Sequence, residues 1–339
     1  VLVLSLTMLL WPQSVYAEIS QAISENTTIG ADNITDENEY LALNNTVFEL
    51  TDRREEAVKH FHLTDGTVAA VQYDIPVHFL DENGEWQDID NTLQSSGSDN
   101  SEDDFSGYEN TANSIKVKFS QSANANKLFK YQADDFSITW GLSDANKTTA
   151  KVSKTNDKET SAEEDNPLAL ANTKSGVTYT DIIQNTDLQY AIIGNTIKEN
   201  IIIKDRGDNY SYTFDIKAKK CTLTLQDDGS ISVLNENGEQ TAIIPAPFMY
   251  DSNNVYSQGV SYSLEEYKKG RYYLTVSADS EWINSSERQF PVTIDPVIEK
   301  KYSNGITGTT VVSRHPTVNY SSIPVYYVGN DSTFYNSRT

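Results

Sequence analysis

The chain has 339 residues, enough for about two domains of ordinary size. Its 26 Lys and Arg against 49 Asp and Glu give a net charge of −23, which disfavours nucleic acid and anionic membranes as partners because both are recognised through basic side chains. The single cysteine, Cys221, excludes an internal disulfide, and its position in phase with Leu223 and Leu225 predicts a small buried apolar residue.

An apolar run from Val1 to Ala17 opens the chain and ends in Val15-Tyr16-Ala17. Small residues at the third and first positions before Glu18 are typical of a signal-peptidase site. We therefore expect cleavage between Ala17 and Glu18 and an exported protein. No other run approaches the roughly 20 apolar residues of a membrane-spanning helix, so we expect no membrane span.

The segment 18–63 is polar and acidic, which predicts a disordered leader. Near its end, His60 and His62 would share one face of a strand, as two metal ligands can. No third ligand is evident beside them, so we expect a structural role for both.

Alternating segments bounded by turn residues predict an N-terminal β domain at 64–143. Within it, 95–106 is an acidic loop whose carboxylates can hold Ca²⁺, although they lack the ligand spacing and the glycine of an EF-hand. We expect a solvated loop and no cofactor. The carboxylates considered for calcium are Asp99, Glu102, Asp103 and Asp104.

A polar stretch at 144–174 predicts a linker, and the segment 175–297 predicts a central β-sandwich domain. In this second domain Leu188, Tyr190 and Ile192 alternate with Gln189 and Ala191, so they should form the inner face of one strand.

The dipeptide Gly194-Asn195 follows that strand and tolerates positive φ, which predicts a hairpin into the apolar run 197–203. Alternation over 210–216 predicts another half-buried strand. Together these patterns predict an all-β fold with two β-sandwich-like units, a disordered acidic leader and the start of a third β module at 298–339.

Several phrases of the sequence resemble the N-terminal region of secreted Gram-positive wall-associated proteins of the Rhs, or YD-repeat, class. The phrases lie at 66–93, which contains Asn83-Gly-Glu-Trp-Gln-Asp-Ile-Asp-Asn-Thr92, at 179–204, at 244–251 and at 288–296, which reads Arg288-Gln-Phe-Pro-Val-Thr-Ile-Asp-Pro296. The segment 298–339 resembles the opening strands of a DNRLRE-type module through its phrases at 316–320 and 327–329.

The resemblance implies an exported protein that is displayed at the cell surface or associated with the cell wall. It also implies repeats and a toxin or effector further along the same polypeptide. On this interpretation the chain is a structural or display region, and the later domains of the polypeptide are its partners.

The sequence holds no nucleophile elbow, phosphate-binding Gly-rich loop, His-Glu-x-x-His or Cys-x-x-Cys. Its histidines, which are His60, His62, His78 and His315, are scattered. We therefore predict that the chain is not an enzyme.

The alternative is a carbohydrate-binding module, because exposed aromatic rings on a β-sandwich can stack on sugars and would make cell-wall or surface glycans the partners. We expect Trp86 and Trp140 in the core, since large aromatic side chains dominate cores. Tyr326 and Tyr327 remain as candidate glycan-binding residues, of which one can belong to a binding face because neighbours in a strand point to opposite sides.

Overall fold

The computed structural model describes residues 46–63, 68–73, 75–97, 105–123, 126–153, 172–295, 297–300 and 326–328. The predicted signal peptide with its cleavage between Ala17 and Glu18, the four carboxylates considered for calcium and most of the segment 298–339 lie outside these residues.

The regular secondary structure of the described residues is almost entirely β-strand, which confirms the all-β prediction. The first strands are β1 (Thr46–Glu49), β2 (Val58–Leu63), β3 (Val68–Gln72), β4 (His78–Leu80), β5 (Trp86–Asp88), β6 (Asp90–Ser96), β7 (Gly107–Ala112), β8 (Ile115–Ser120), β9 (Phe129–Ala133), β10 (Phe136–Leu142), β11 (Lys151–Ser153), β12 (Lys174–Ile183) and β13 (Thr186–Ile193). The remaining strands are β14 (Thr196–Ile203), β15 (Ser211–Lys219), β16 (Cys221–Leu225), β17 (Ile231–Asn235), β18 (Gln240–Ile244), β19 (Phe248–Tyr250), β20 (Tyr256–Ser257), β21 (Val260–Lys268), β22 (Arg271–Ala278), β23 (Val292–Asp295), β24 (Val297–Lys300) and β25 (Tyr326–Val328).

Helical structure in the described residues is short. A 3₁₀ turn covers Thr51–Arg53, and the helix α1 covers Ser280–Asn284. The Asp279 side chain caps α1 by accepting hydrogen bonds from the backbone N–H groups of Glu281 and Trp282. No helix in the described ranges is long and apolar enough to cross a lipid bilayer.

The described residues form two compact units. The first contains a sheet in the order β1-β2-β3-β25 and the hairpin β4-β5. The turn of that hairpin closes at Gly84, whose φ of 78° is in the left-handed region, and the Asp81 side chain accepts hydrogen bonds from the N–H groups of Asn83 and Glu85. The last residues of the predicted leader 18–63 therefore belong to ordered strands, β1 and β2.

The second unit is a sandwich of two sheets. Sheet I has the order β21-β22-β15-β10-β9-β8-β7-β6, and sheet II has the order β11-β12-β13-β14-β24-β18-β17-β16. A branch of sheet II continues from β14 through β23 and β19 to β20. The predicted hairpin is confirmed, because β13 and β14 pair with Ile193 opposite Thr196 and Gly194 has a φ of 57°.

Aromatic rings from both sheets meet in the core of the sandwich. Tyr190 of β13 lies 4.7 Å from Phe129 of β9 and 5.7 Å from Phe119 of β8, measured between ring centroids. Trp140 of β10 stacks on Phe129 at 5.3 Å. The predicted inner face of β13 is confirmed because Leu188, Tyr190 and Ile192 are all buried.

Sheet I joins strands from the two predicted domains. β10 belongs to the predicted domain 64–143 and pairs directly with β15, which belongs to the predicted domain 175–297. All seven residues of β10 are buried, so this strand requires a partner on each edge and cover on each face. The predicted linker 144–174 therefore connects strands of a single sandwich, and its part at Lys151–Ser153 forms β11 beside β12.

Candidate functional site

The face of sheet II that points away from the core carries polar side chains. Successive residues of a strand point to opposite sides of the sheet. Glu199 is buried in the core, so its neighbours Lys198 and Asn200 point to the outer face. The strand register places Gln189 directly across from Asn200. The same face continues on β23. Ile294 pairs with the core-facing Ile201, so the next residue, Asp295, points to the outer face.

Three half-buried aromatic rings border these polar groups. Phe248 and Tyr250 come from β19 and Tyr256 from β20, with Tyr250 and Tyr256 directly opposite each other. The ring centroids lie 6.2, 6.1 and 5.6 Å apart, and the ring planes differ by 29°, 34° and 36°. We call these three rings the aromatic platform.

A side-chain-stabilised turn holds the platform together. The Asp251 carboxylate accepts hydrogen bonds of 3.0 Å from the N–H groups of Asn253 and Val255, and Asn254 takes a positive φ of 57°. The other oxygen of Asp251 lies 3.3 Å from the Arg288 guanidinium. The chain is thereby reversed directly after β19, which brings Tyr256 beside Tyr250.

An ion pair adjoins the platform. The Lys198 ammonium lies 2.8 Å from Oδ2 of Asp295, and the Asp295 side chain is only 3% exposed. Burial raises the pKa of Asp295, and the Lys198 charge offsets part of that rise. The Oδ1 atom of Asp295 is buried without a hydrogen-bond partner among the described residues. Because Asp295 pairs across the strands with Phe248, the ion pair lies at the edge of the platform.

Two amide side chains add further hydrogen-bonding groups. Asn200 donates from Nδ2 to Oε1 of Gln189 at 3.0 Å. Its own Oδ1 is buried and has no hydrogen-bond partner within the described ranges. Flat apolar rings beside amides, a carboxylate and an ammonium suit a ligand with apolar faces and many hydroxyl groups.

The aromatic residues considered from the sequence lie elsewhere. Trp140 is buried in the core as predicted, and Trp86 is half-buried 6.5 Å from the His78 ring. Tyr326 and Tyr327 belong to β25, whose backbone pairs with β3, and their role in glycan binding stays a prediction. The platform residues were missed, although the alternation of Phe248 with Tyr250 could have placed both rings on one face.

Other residues considered from the sequence have structural surroundings. His62 stacks on Phe48 at 5.1 Å, and His60 lies in the same strand, β2. Cys221 is buried, which confirms the prediction for it, and burial raises the pKa of its thiol to about 12.

Comparison with known proteins identifies relatives, although no family model matches the chain. The chain is 31% identical over 283 residues to the tRNA nuclease WapA of Bacillus subtilis strain 168 and to the tRNA3(Ser)-specific nuclease WapA of Bacillus spizizenii. Each match includes 81% of this chain and 11% of the relative, so the chain spans about a tenth of the length of these proteins. A wall-associated protein of Geobacillus stearothermophilus is 24% identical over 206 residues, which are 60% of this chain and 75% of that protein.

These relatives correct one prediction. The chain was predicted not to be an enzyme because it lacks local catalytic motifs, whereas the Bacillus relatives are named nucleases. Local motifs are a weak guide because catalytic groups can be assembled from distant parts of a chain.

The relatives also bear on where the protein acts. The Geobacillus relative is named a wall-associated protein, and that name agrees with the resemblance found in the sequence. The predicted location, secreted and cell wall-associated, is confirmed, and the chain is similar to the wall-associated proteins of Bacillus and Geobacillus.

Proposed function

We propose that this chain is a display region of a wall-associated protein and that it binds polysaccharide of the cell wall through the aromatic platform. The observation that carries the proposal is the position of Phe248, Tyr250 and Tyr256 side by side, next to the ion pair of Lys198 with Asp295.

The chemistry of the site matches a sugar ring. A pyranose presents flat patches of C–H groups that pack on aromatic faces, and its hydroxyl groups form hydrogen bonds around its edge. Gln189 and Asn200 supply amide groups on the half-exposed face, and Lys198, whose side chain is 31% exposed, supplies a donor. Because the chain carries a net charge of −23, we propose an uncharged glycan strand rather than an anionic wall polymer as the ligand.

The proposal also covers how the platform is supported and how the polypeptide is arranged. The sandwich of sheets I and II gives a rigid support for the platform. We also propose that the protein belongs to the Rhs, or YD-repeat, class and that the segment 298–339 begins a DNRLRE-type module. Further domains of the same polypeptide are proposed as partners, and Tyr326 or Tyr327 is proposed to contribute to glycan binding.

Co-sedimentation with purified peptidoglycan from which anionic polymers have been removed tests the ligand. We expect the chain to sediment with it, and Tyr256→Ala to weaken this binding at least tenfold. The matched control is Tyr273→Ala, because Tyr273 stacks on Tyr267 at 4.2 Å as a second pair of exposed rings, on strands of sheet I. Equal binding by both variants, or no binding by the parent chain, would contradict the proposal.

A second function is proposed for the protein as a whole. We propose that the whole protein cleaves tRNA, an activity supported by the names of the Bacillus relatives, of whose length this chain spans about a tenth. The net charge of −23 disfavours nucleic acid binding by this chain itself. The test is to incubate bulk tRNA with the protein released from the cell wall of its source organism and to follow the products on a denaturing gel. Discrete cleavage fragments are expected, and intact tRNA after prolonged incubation would contradict this function.

A further inference from the structure

The first unit holds a cluster of charged side chains at the junction of β1, β4 and β5. Glu49 comes from β1, His78 from β4 and Asp88 from β5. One ligand atom from each of these three residues lies within 4.8 Å of the other two.

The imidazole of His78 has a fixed proton position. Its Nδ1 lies 2.7 Å from the backbone carbonyl oxygen of Glu55, and a carbonyl oxygen can only accept, so Nδ1 carries the hydrogen. The other nitrogen, Nε2, therefore faces the carboxylates with a lone pair when the ring is neutral. The His78 side chain is 0% exposed, and Nε2 has no hydrogen-bond partner within the part of the chain described.

The distances from Nε2 to the carboxylate oxygens distinguish a direct hydrogen bond from a shared metal ion. Nε2 lies 3.5 Å from Oε1 of Glu49 and 3.5 Å from Oδ1 of Asp88. A charged N–H···O hydrogen bond would be shorter, at about 2.7–2.9 Å. Two atoms that bind one tetrahedral ion through bonds of about 2.0–2.2 Å lie about 3.3–3.6 Å apart. The observed spacing fits a shared ion and exceeds that of a hydrogen bond.

We propose that Glu49, His78 and Asp88 bind a divalent metal ion of the zinc class, with water as the fourth ligand. Imidazole with carboxylates is a typical donor set for Zn²⁺, and the hydrogen bond to Glu55 orients the ring as neighbouring groups do in known zinc sites. Asp88 is 56% exposed, which gives the ion a route from solvent. Ca²⁺ is disfavoured because it requires six or more oxygen ligands.

Two basic residues, Arg54 and Lys59, contact the carboxylates and affect the affinity of the site for a metal ion. Arg54 donates from Nε to Oε1 of Glu49 at 2.7 Å and from Nη2 to Oδ2 of Asp88 at 2.9 Å, which fixes both carboxylates. Lys59 places its ammonium 3.1 Å from Oδ1 of Asp88, an oxygen that the ion would also bind. Lys59 is therefore a competing cation, and its charge lowers the affinity for the metal.

Titration calorimetry of the tag-free chain with ZnCl₂ tests the site. We expect one ion per chain and a higher melting temperature with zinc than with calcium. His78→Asn keeps an amide donor for the Glu55 carbonyl but removes Nε2, so it should weaken binding at least tenfold. Asp88→Asn, at an exposed position, should do the same, while the control His60→Gln should bind as the parent does.

Lys59→Gln should have the opposite effect to His78→Asn and Asp88→Asn. It removes the competing ammonium, so zinc binding should become severalfold tighter. Parent-like affinity in both His78→Asn and Asp88→Asn would overturn the proposal, as would the absence of zinc binding by the parent chain. Loss of binding in His60→Gln alone would place the ion elsewhere and would also overturn it.

Discussion

The Tyr190 hydroxyl donates a 2.8 Å hydrogen bond to the Glu199 carboxyl inside the sandwich. The two residues are directly opposite each other on β13 and β14, and both are buried. Burial raises the pKa of Glu199 to about 8, and the Tyr190 hydrogen bond offsets only part of that rise. The sandwich core therefore contains an acid that is mostly protonated at neutral pH.

This relationship predicts that stability falls as the pH rises. The pKa of Glu199 is about 8 in the folded chain and near 4.5 when exposed, so the folded state retains a proton that the unfolded state has lost. The stabilisation is complete below pH 4.5 and is lost as the pH rises through 8, at up to about 1.4 kcal/mol for each pH unit. Urea unfolding at pH 5 and pH 8 measures the change.

Glu199→Gln keeps the shape of the side chain and cannot ionise, so its stability should vary less with pH over this interval. Glu236→Gln is the control, since Glu236 is exposed at a turn. A pH dependence in Glu199→Gln equal to that of the parent would show that Glu199 is not the responsible group.

Lys198→Met should destabilise the chain more at pH 8 than at pH 5. The substitution removes the partner of the buried Asp295 carboxylate, a loss that typically costs about 3–5 kcal/mol for a fully buried pair. We expect the lower part of that range, because the Lys198 side chain is 31% exposed. At lower pH the carboxyl can take a proton, since burial already raises its pKa and loss of Lys198 raises it further.

The measurement is the difference in unfolding free energy between Lys198→Met and the parent at each pH. The double variant Lys198→Met with Asp295→Asn should recover part of the stability at pH 8, because no charge is left buried. An equal loss at both pH values would argue against ionisation of Asp295 as the cause.

Asn91 should be among the most sensitive polar residues of the second unit. Its buried amide donates to the carbonyl oxygens of Thr173 at 2.8 Å and Gly194 at 2.7 Å, and its Oδ1 accepts from Asn110 and Asn113. Loss of one hydrogen-bond partner leaves a buried polar group that costs about 1–3 kcal/mol.

Asn91→Ala should therefore lower the unfolding free energy by about 2–4 kcal/mol, a value measured by urea denaturation. Asn91→Asp should be at least as damaging at neutral pH, because a carboxylate oxygen would face carbonyl oxygens that the amide now donates to. Asn237→Ala at an exposed turn is the comparison. Parent-like stability in Asn91→Ala would mean that the network adds little.

Local pattern was enough to predict single strands and their faces. The alternation of Leu188, Tyr190 and Ile192 gives the inner face of β13, and Gly194-Asn195 gives its turn, because both depend on neighbours in sequence. The pairing of β10 with β15 could not be predicted from local sequence pattern. Periodicity tells which side of a strand is buried but not which distant strand lies beside it.

The candidate sites were beyond prediction for the same reason. Lys198 and Asp295 meet because β14 and β23 are neighbours in the sheet, and His78 meets Glu49 through an arrangement of short strands. A carboxylate in so acidic a chain gives no local sign of burial. Two features of the platform did have a local signal, the alternation of Phe248 with Tyr250 and the turn at Asp251.

The two faces of β13 should respond oppositely to truncation. Ile192 is buried in the core, and its replacement by alanine should cost about 2–5 kcal/mol through lost burial and a residual cavity. Gln189 lies on the opposite, half-exposed face beside Asn200, so Gln189→Ala should leave the melting temperature nearly unchanged and weaken glycan binding.

Thermal melts and peptidoglycan co-sedimentation of the full chain measure both effects, with binding assayed well below the melting temperature of each variant. Folded Ile192→Ala should bind as the parent does, because its side chain points away from the platform. If Ile192→Ala lost glycan binding while keeping its stability, the face that we assign to the core would be the binding face. The glycan site would then lie on the opposite side of sheet II.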